Sequence, residues 1–334
     1  MKLLSSRREV LAGAAALTVH CAKRRGPDEH LASVAPASAP SAPEVVPEEA
    51  GTVRESEGGA LFLERELEFE GSAIGPEKAL AIVPAWGKTG ERFPLLVALH
   101  GRGESVRGMD VGARGWLHDY ELGRTIARLR SPPLVREDLK GFVDEARLAR
   151  INASLAERPF RGLVVVCPWV PDLVNERDRT NLDAPLPFGR FVVESLLPRA
   201  WDETPALRER AATGIDGVSL GGRVSLVVGL AHADRFGAVG ALQPAIQENE
   251  PPALARRARD AMVDAARLRL RLVTSDQDYF RGATTGLHLA LKSEGIEHEH
   301  LVIPGPHDYA FNRGPGGVEM LLWHDRVLRG EAPL

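Results

Sequence analysis

A serine lies within a short glycine-rich segment, GIDGVSLGG, at residues 214–222. Gly217 and Gly221 flank Ser219 at two residues on either side, which gives the pattern G-x-S-x-G. A short strand pattern precedes the serine and a helical pattern follows it. At such a turn, side chains in place of the glycines would contact neighbouring backbone, and the serine hydroxyl stands clear as a nucleophile. The alternative is a glycine-rich helix start that holds a structural serine.

A nucleophilic serine on this kind of turn needs an acid and then a histidine, in that chain order, each after a later strand. Two carboxylates, Asp276 and Asp278, follow the strand pattern at 267–275. His307 follows the next strand pattern, after a Gly-Pro turn. The order of these side chains predicts acyl transfer, for which no cofactor is required, and leaves both aspartates open as the acid.

A third group of candidates would stabilise the oxyanion that acyl transfer forms. The apolar run FPLLVALHG ends directly before Arg102, so a His-Gly turn follows an inner strand. The backbone N–H of Arg102 or of Gly101 is one candidate donor, and the N–H of Leu220, the residue after the serine, is the other. His100 is expected to brace this turn.

Strand and helix patterns alternate from about residue 60 onwards, which predicts an α/β fold with a mostly parallel central sheet flanked by helices. The run at 267–275 alternates, which predicts one polar face and a position near the sheet edge. Residues 104–160 are expected to hold a core helix and an insertion, either a lid over the site or a surface elaboration. The predicted strands are 61–67, 78–84, 93–101, 161–169, 211–217, 236–244, 267–275 and 298–305. The predicted helices are 119–130, 134–157, 188–199, 219–232, 281–294 and 316–329.

These segments together resemble the α/β-hydrolase superfamily, and within it the group of esterase D, enterochelin esterase and feruloyl esterase. The resemblance is carried by FPLLVALHGRGE, GVSLGGRVSLVVGLAHADRFGAVGALQ, SDQDYFR and GPHDYAFN. It implies an α/β-hydrolase fold, with Ser219 as nucleophile and His307 as general base and then acid. The family spacing favours Asp278 as the orienting carboxylate, with Asp276 as the second choice. Gln243 departs from the family, which has serine or a similar residue there.

The implied reaction is hydrolysis of a small-molecule carboxylic ester through an acyl-enzyme. Four aromatic residues in predicted loops are candidates for the mouth of the substrate pocket. Ordinary packing is the alternative for each of them. They are Trp116, Tyr120, Trp169 and Phe188.

Composition and charge exclude several other classes of function. The chain of 334 residues has a formal net charge of −4, which gives no reason to expect a nucleic-acid partner. It has two cysteines, Cys21 and Cys167, so a disulfide framework and a CxxC zinc site are excluded. No other pattern of metal ligands is found, so no metal is expected.

The first 59 residues differ in character from the rest. Residues 1–21 begin basic and continue apolar, and SRREVL resembles the twin-arginine export motif. Cys21 is a candidate for lipidation and hence for a membrane tether. Residues 22–59, rich in Pro, Ala, Ser and Glu, predict a disordered linker before a catalytic domain at 60–334. The protein is therefore expected to be exported and to be periplasmic, anchored to the cell envelope or secreted.

Two other functions remain open at the level of sequence. One is a serine peptidase of the prolyl-oligopeptidase type, although that group usually has a large N-terminal propeller domain. The other is a hydrolase-fold surface lipoprotein that binds a ligand without catalysis.

Overall fold

Eight strands form one sheet in the computed structural model of the chain, which describes residues 60–173, 181–264 and 267–334. The predicted leader at 1–21, with Cys21, and the predicted linker at 22–59 lie outside the described residues. The strands are β1 (Phe62–Ser72), β2 (Gly75–Pro84), β3 (Leu95–Leu99), β4 (Val164–Pro168), β5 (Thr213–Gly217), β6 (Ala238–Leu242), β7 (Arg269–Gln277) and β8 (Glu299–Pro306).

The spatial order of the strands is β1-β2-β4-β3-β5-β6-β7-β8. β1 and β2 form an antiparallel pair, and β2 lies antiparallel to β4. The six strands from β3 to β8 are mutually parallel. Their carboxyl ends therefore share one edge of the sheet, which is where ligands bind in open α/β folds.

The central strands are buried along their whole length, as their continuous apolar runs predict. Every residue of β3, β4, β5 and β6 is buried. The polar face predicted for residues 267–275 is exposed at Arg267 and Arg269 and buried from Arg271 onwards. Arg271 is only 2% exposed and pairs with the carboxylate of Glu319. Strand β7 lies next to the edge strand β8, so the predicted position near the sheet edge is confirmed.

Helices cover both faces of the sheet. The described helices are α1 (Arg102–Ser105), α2 (Met109–Gly112), α3 (Gly115–His118), α4 (Leu122–Arg130), α5 (Glu145–Glu157), α6 (Leu186–Phe191), α7 (Leu197–Glu203), α8 (Leu220–Ala231), α9 (Pro251–Asp264), α10 (Arg281–Ser293), α11 (Tyr309–Phe311) and α12 (Gly317–Val327). Short π-helical turns, Val192–Leu196 and Asn312–Gly316, join α6 to α7 and α11 to α12, and 3₁₀ turns lie at Arg136–Leu139 and Arg210–Ala212. No helix in the described ranges is long and apolar enough to cross a membrane.

Two helix predictions need correction. Helix α9 was not expected, because its buried face is built largely from the small residues Ala255, Ala258 and Ala261, which give a weak apolar pattern. The helix predicted at 134–157 begins only at Glu145. The Asp144 side chain accepts the N–H of Arg147 and so caps the helix at that point.

Most of the segment at 104–160 belongs to the core rather than to a lid. Helix α4 buries Leu122, Ile126 and Leu129, and α5 buries Ile151 and Leu155, in the same apolar cluster as residues of the sheet. This burial on one face of each helix is what an amphipathic pattern predicts.

A buried ion cluster joins β7 to the helix layer and yields a prediction about stability. Arg147 donates to both carboxylate oxygens of Glu319, at 2.8 and 2.6 Å, and Arg271 lies 3.3 Å from the same carboxylate. We expect Glu319→Ala to lower the free energy of unfolding by about 3–5 kcal/mol, because two buried guanidinium groups lose their partner. Urea denaturation measures this loss, and a change below about 1 kcal/mol would contradict the prediction.

Candidate active site

Ser219 occupies a strained turn between β5 and α8. Its φ of 56° and ψ of −116° are rare for a residue with a side chain. The turn is held because the Ser219 N–H donates to the carbonyl of Leu242 at 3.0 Å. A Cβ at Gly217 would lie 2.5 Å from the carbonyl carbon of Gly221, and a Cβ at Gly221 would lie 2.5 Å from the carbonyl oxygen of His100. The two glycines are therefore required by backbone contact.

The imidazole of His307 is paired with Asp278. The Nδ1 atom of His307 lies 2.8 Å from Oδ1 of Asp278. The same carboxylate accepts the hydroxyl of Thr274 at 2.7 Å and the N–H of Phe280 at 2.9 Å. With Nδ1–H donated to a carboxylate that is fixed in this way, the Nε2 atom of His307 is left as the proton acceptor.

Asp276, the second candidate for the acid, makes a different contact. Its Oδ1 accepts the N–H of Gly305 at 2.9 Å, and the residue is otherwise exposed. Gly305 has a φ of +134°, so this bond holds the turn that leads into His307. Asp276 therefore shapes the loop, whereas Asp278 contacts the imidazole.

Gln243 connects the serine turn to the histidine loop, and sequence reasoning missed this role. Leu242, just before it, accepts the Ser219 N–H, while Nε2 of Gln243 donates to the carbonyl of Pro306 at 2.9 Å and to the Ser275 hydroxyl at 2.6 Å. Gln243 is fully buried and has a φ of 43°. The only signal in the sequence was its departure from the family pattern.

Leu242, the last residue of β6, thus contacts the serine turn, and Gln243 contacts the loop that leads into His307. Ser219 and the His307 loop are therefore connected through adjacent residues at the carboxyl edge of the sheet. Within the part of the chain that the structure describes, the Ser219 hydroxyl and the imidazole do not form a hydrogen bond with each other. Such bonds are often long or poorly aligned without substrate.

The three candidates for the oxyanion site differ in what their N–H groups contact. The N–H of Gly101 donates to the hydroxyl of Tyr120 at 3.0 Å, so it is occupied, which removes Gly101 as a candidate donor. Leu220 is the first residue of α8 and Arg102 the first of α1. Such N–H groups have no acceptor within their own helix, and neither has a partner elsewhere in the described residues. Leu220 and Arg102 remain as the two candidate donors.

His100 braces the turn next to these donors, as expected. Its Nδ1 lies 2.8 Å from the carbonyl oxygen of Gly101, and its Nε2 accepts the N–H of Val170 at 2.9 Å. These contacts fit a neutral ring that donates through Nδ1 and accepts through Nε2. Burial lowers the pKa of His100 to about 4.

The predicted aromatic lining of the pocket is wrong for three of its four residues. Trp116, Tyr120 and Phe188 are buried in the two apolar cores, because their rings fill space between helices and sheet. Trp169 is partly buried, and its indole N–H donates to the carbonyl of Ser105 at 3.2 Å.

Two tyrosines that were not predicted lie beside the candidate site instead. Tyr279 is 70% exposed, and its ring centroid lies 4.3 Å from that of His307. Tyr309 is also exposed and lies two residues after His307. Their positions one residue after Asp278 and two residues after His307 are the signal that could have found them.

No group of three or more His, Cys, Asp or Glu side chains is placed to hold a metal ion in residues 60–173, 181–264 and 267–334.

Comparisons with known proteins bear on the fold and on the class of enzyme. Residues 175–295 match the model of the Esterase family. Comparison of the sequence with curated proteins finds no match. Among solved structures, a ferulic acid esterase is 15% identical with a TM-score of 0.59, over 81% of this chain and 100% of the other.

Two further neighbours have similar values. The serine hydrolase FphF of Staphylococcus aureus, described as fluorophosphonate-binding, is 14% identical with a TM-score of 0.55, over 79% of this chain and 99% of the other. The ferulic acid esterase AmCE1/Fae1A of Anaeromyces mucronatus is 19% identical with a TM-score of 0.53, over 79% and 91%. The predicted α/β-hydrolase fold is confirmed, and the family match supports a serine hydrolase of the carboxylesterase type.

The contacts at the serine turn give a prediction for Gly221. We expect Gly221→Ala to lower the free energy of unfolding by about 3 kcal/mol, because the new methyl group meets the carbonyl oxygens of Leu99 and His100. Gly286→Ala is the matched control, since its methyl group would lie 3.5 Å from Pro251, an ordinary contact within a helix. Thermal and urea unfolding of both variants measure the difference. Equal stability of the two would contradict the prediction.

The burial of His100 gives a prediction for the dependence of stability on pH. Its pKa is about 4 in the folded chain against 6.5 when unperturbed, so the unfolded chain binds more protons between these values. The stability from this group is complete above pH 6.5 and falls by up to about 3 kcal/mol as the pH decreases towards 4. We expect His100→Gln to unfold with a shallower pH dependence, and exposed His118→Gln to keep the original slope. Urea titrations across this range measure both slopes, and equal slopes for the two variants would refute the assignment.

Proposed function

We propose that this protein hydrolyses small-molecule carboxylic esters, with Ser219 as nucleophile, His307 as general base and Asp278 as the orienting acid. The observation that carries the proposal is the partly buried His307–Asp278 hydrogen bond of 2.8 Å. It lies at the same sheet edge as the strained turn of Ser219. The Esterase family match and the neighbours that are named as esterases support an ester as the substrate class.

In this mechanism His307 takes the proton of Ser219 through Nε2, while Nδ1–H remains bonded to Asp278. The serine oxygen forms a bond to the ester carbonyl carbon, and the carbonyl π electrons move to oxygen. The N–H groups of Leu220 and Arg102 donate to this oxyanion, and the loss of one such donor typically costs about 10²–10³-fold in kcat. His307 then gives the proton to the leaving alcohol, and the acyl-enzyme remains.

The second half of the reaction repeats these steps with water. His307 removes a proton from a water molecule, which attacks the acyl carbon, and Ser219 leaves with the proton from His307. Asp278 stays ionised and stabilises the imidazolium formed in each half. The chain's own side chains and backbone N–H groups carry every step.

We also propose that the protein is exported from the cytoplasm, and the N-terminal leader supports this localisation. Residues 1–21 have the order of an export signal, and Cys21 is the candidate for lipid attachment. The mass of the mature N-terminus tests both points: a chain that begins at Cys21 with added lipid supports the tether, and an uncleaved chain contradicts export.

The catalytic proposal is tested with a fluorophosphonate probe and short-chain nitrophenyl esters. We expect the wild type to be labelled and to turn over esters, and Ser219→Ala to lose both. Asp278→Asn is expected to lower kcat by about 10⁴-fold, because the imidazole loses its orienting charge. Asp276→Asn is the matched control and is expected to keep activity within about tenfold, because it contacts the loop and not the imidazole.

Each alternative function has its own outcome in this experiment. Cleavage of a peptide amide without ester cleavage would replace the esterase by a peptidase. Neither labelling nor turnover in the folded wild type would favour a binding protein. A larger loss in Asp276→Asn than in Asp278→Asn would overturn the assignment of the acid.

A further inference from the structure

A buried carboxylate, Glu104, lies directly behind the turn that holds the proposed oxyanion donor. It is three residues after Gly101, in the short helix α1, and is only 1% exposed. A buried carboxylate is costly unless its oxygens are fully paired. The mechanism proposed above gives it no role.

One oxygen of Glu104 is connected to the oxyanion turn. Oε2 accepts the hydroxyl of Tyr120, and the same hydroxyl accepts the N–H of Gly101 at 3.0 Å. A Cβ at Gly101 would lie 3.1 Å from the Tyr120 oxygen and 3.7 Å from Cβ of Ser219. The turn is therefore held between the tyrosine on one side and the nucleophile on the other.

The other oxygen is connected to the histidine loop. Oε1 accepts the hydroxyl of Tyr309 at 2.8 Å, and Tyr309 lies two residues after His307. The guanidinium of Arg107 donates to the same oxygen at 3.1 Å and balances its charge. A Cβ at Gly103 would lie 2.7 Å from the Tyr309 hydroxyl, so the two loops are in direct contact.

The chemistry of these groups requires a carboxylate at this position. Burial, together with Glu104, raises the pKa of both Tyr120 and Tyr309, so both phenols stay protonated and need acceptors. An ionised carboxylate accepts on both oxygens, whereas a carboxamide has one acceptor and one donor. A glutamine here would leave one phenol without an acceptor.

Resting on the proposed function, we infer that Glu104 is a positioning residue for catalysis, which holds the oxyanion turn and the His307 loop at a fixed separation through Tyr120 and Tyr309. Three hydrogen bonds run from Gly101 to Tyr120, from Tyr120 to Glu104 and from Tyr309 to Glu104. It fixes the N–H of Arg102 relative to the imidazole before the substrate binds. Its contribution is therefore made in the transition state and appears in kcat.

The test compares Glu104→Gln, Tyr309→Phe and the double variant, with nitrophenyl acetate as substrate. We expect kcat to fall about 10–100-fold in Glu104→Gln and about 5–10-fold in Tyr309→Phe, with KM within about threefold. In the double variant, the two losses should be less than additive, because either change alone already breaks the connection between Tyr120 and Tyr309.

Glu319→Gln is the matched control, because Glu319 is also 1% exposed and held by arginines, but lies outside the site. It is expected to lose stability and to keep the kcat of the folded enzyme. Tyr309→Phe removes only one hydroxyl and keeps the test available if Glu104→Gln fails to fold.

Three results would overturn the inference while leaving the proposed function intact. These are a kcat in Glu104→Gln equal to that of Glu319→Gln, a loss that appears only in KM, or fully additive losses in the double variant. An inactive wild type would refute the proposed function, and with it the role of Glu104.

Discussion

The close approach of helix α8 to strand β3 is the constraint on which the candidate site depends. A Cβ at Gly221 would collide with the carbonyl oxygens of Leu99 and His100, the last residues before the oxyanion turn. Without side chains at Gly217 and Gly221, the helix start lies against the end of β3, and Ser219 is brought beside Gly101. The positive φ of Ser219 follows from this contact and persists because the surrounding backbone fixes it.

Buried polar groups then fix each loop around the serine by hydrogen bonds. His100 links the oxyanion turn to Val170 after β4, and Glu104 links it to Tyr309. Gln243 links the residue after β6 to Pro306 at the end of β8. Paired polar networks of this kind favour one arrangement, because any slip leaves a buried donor or acceptor unsatisfied. Loops from five parallel strands thereby act as one rigid surface.

The sequence predicted the parts of the site that depend on chain order and missed those that depend on packing. The strands, the serine turn and the carboxylate–histidine order follow from local pattern. The alternation in 267–275 did not reveal that Arg271 is buried, because its partner Glu319 is distant in sequence. The pocket aromatics failed for a similar reason: an aromatic residue such as Trp116 is placed by the space its ring fills. The roles of Glu104 and Gln243 depend on contacts between loops that are distant in sequence and meet only in the folded chain.

The three proposed catalytic groups differ in exposure. The side chain of Asp278 is 0% exposed and that of His307 9% exposed, while Ser219 is partly accessible. The permanent charge is thus kept where water cannot weaken its interaction with the imidazole, since electrostatic attraction is stronger at low dielectric constant. In the proposed reaction, proton transfer takes place at the more exposed end of this group. Tyr279, which is 70% exposed, lies against the imidazole there, with its ring centroid 4.3 Å from that of His307.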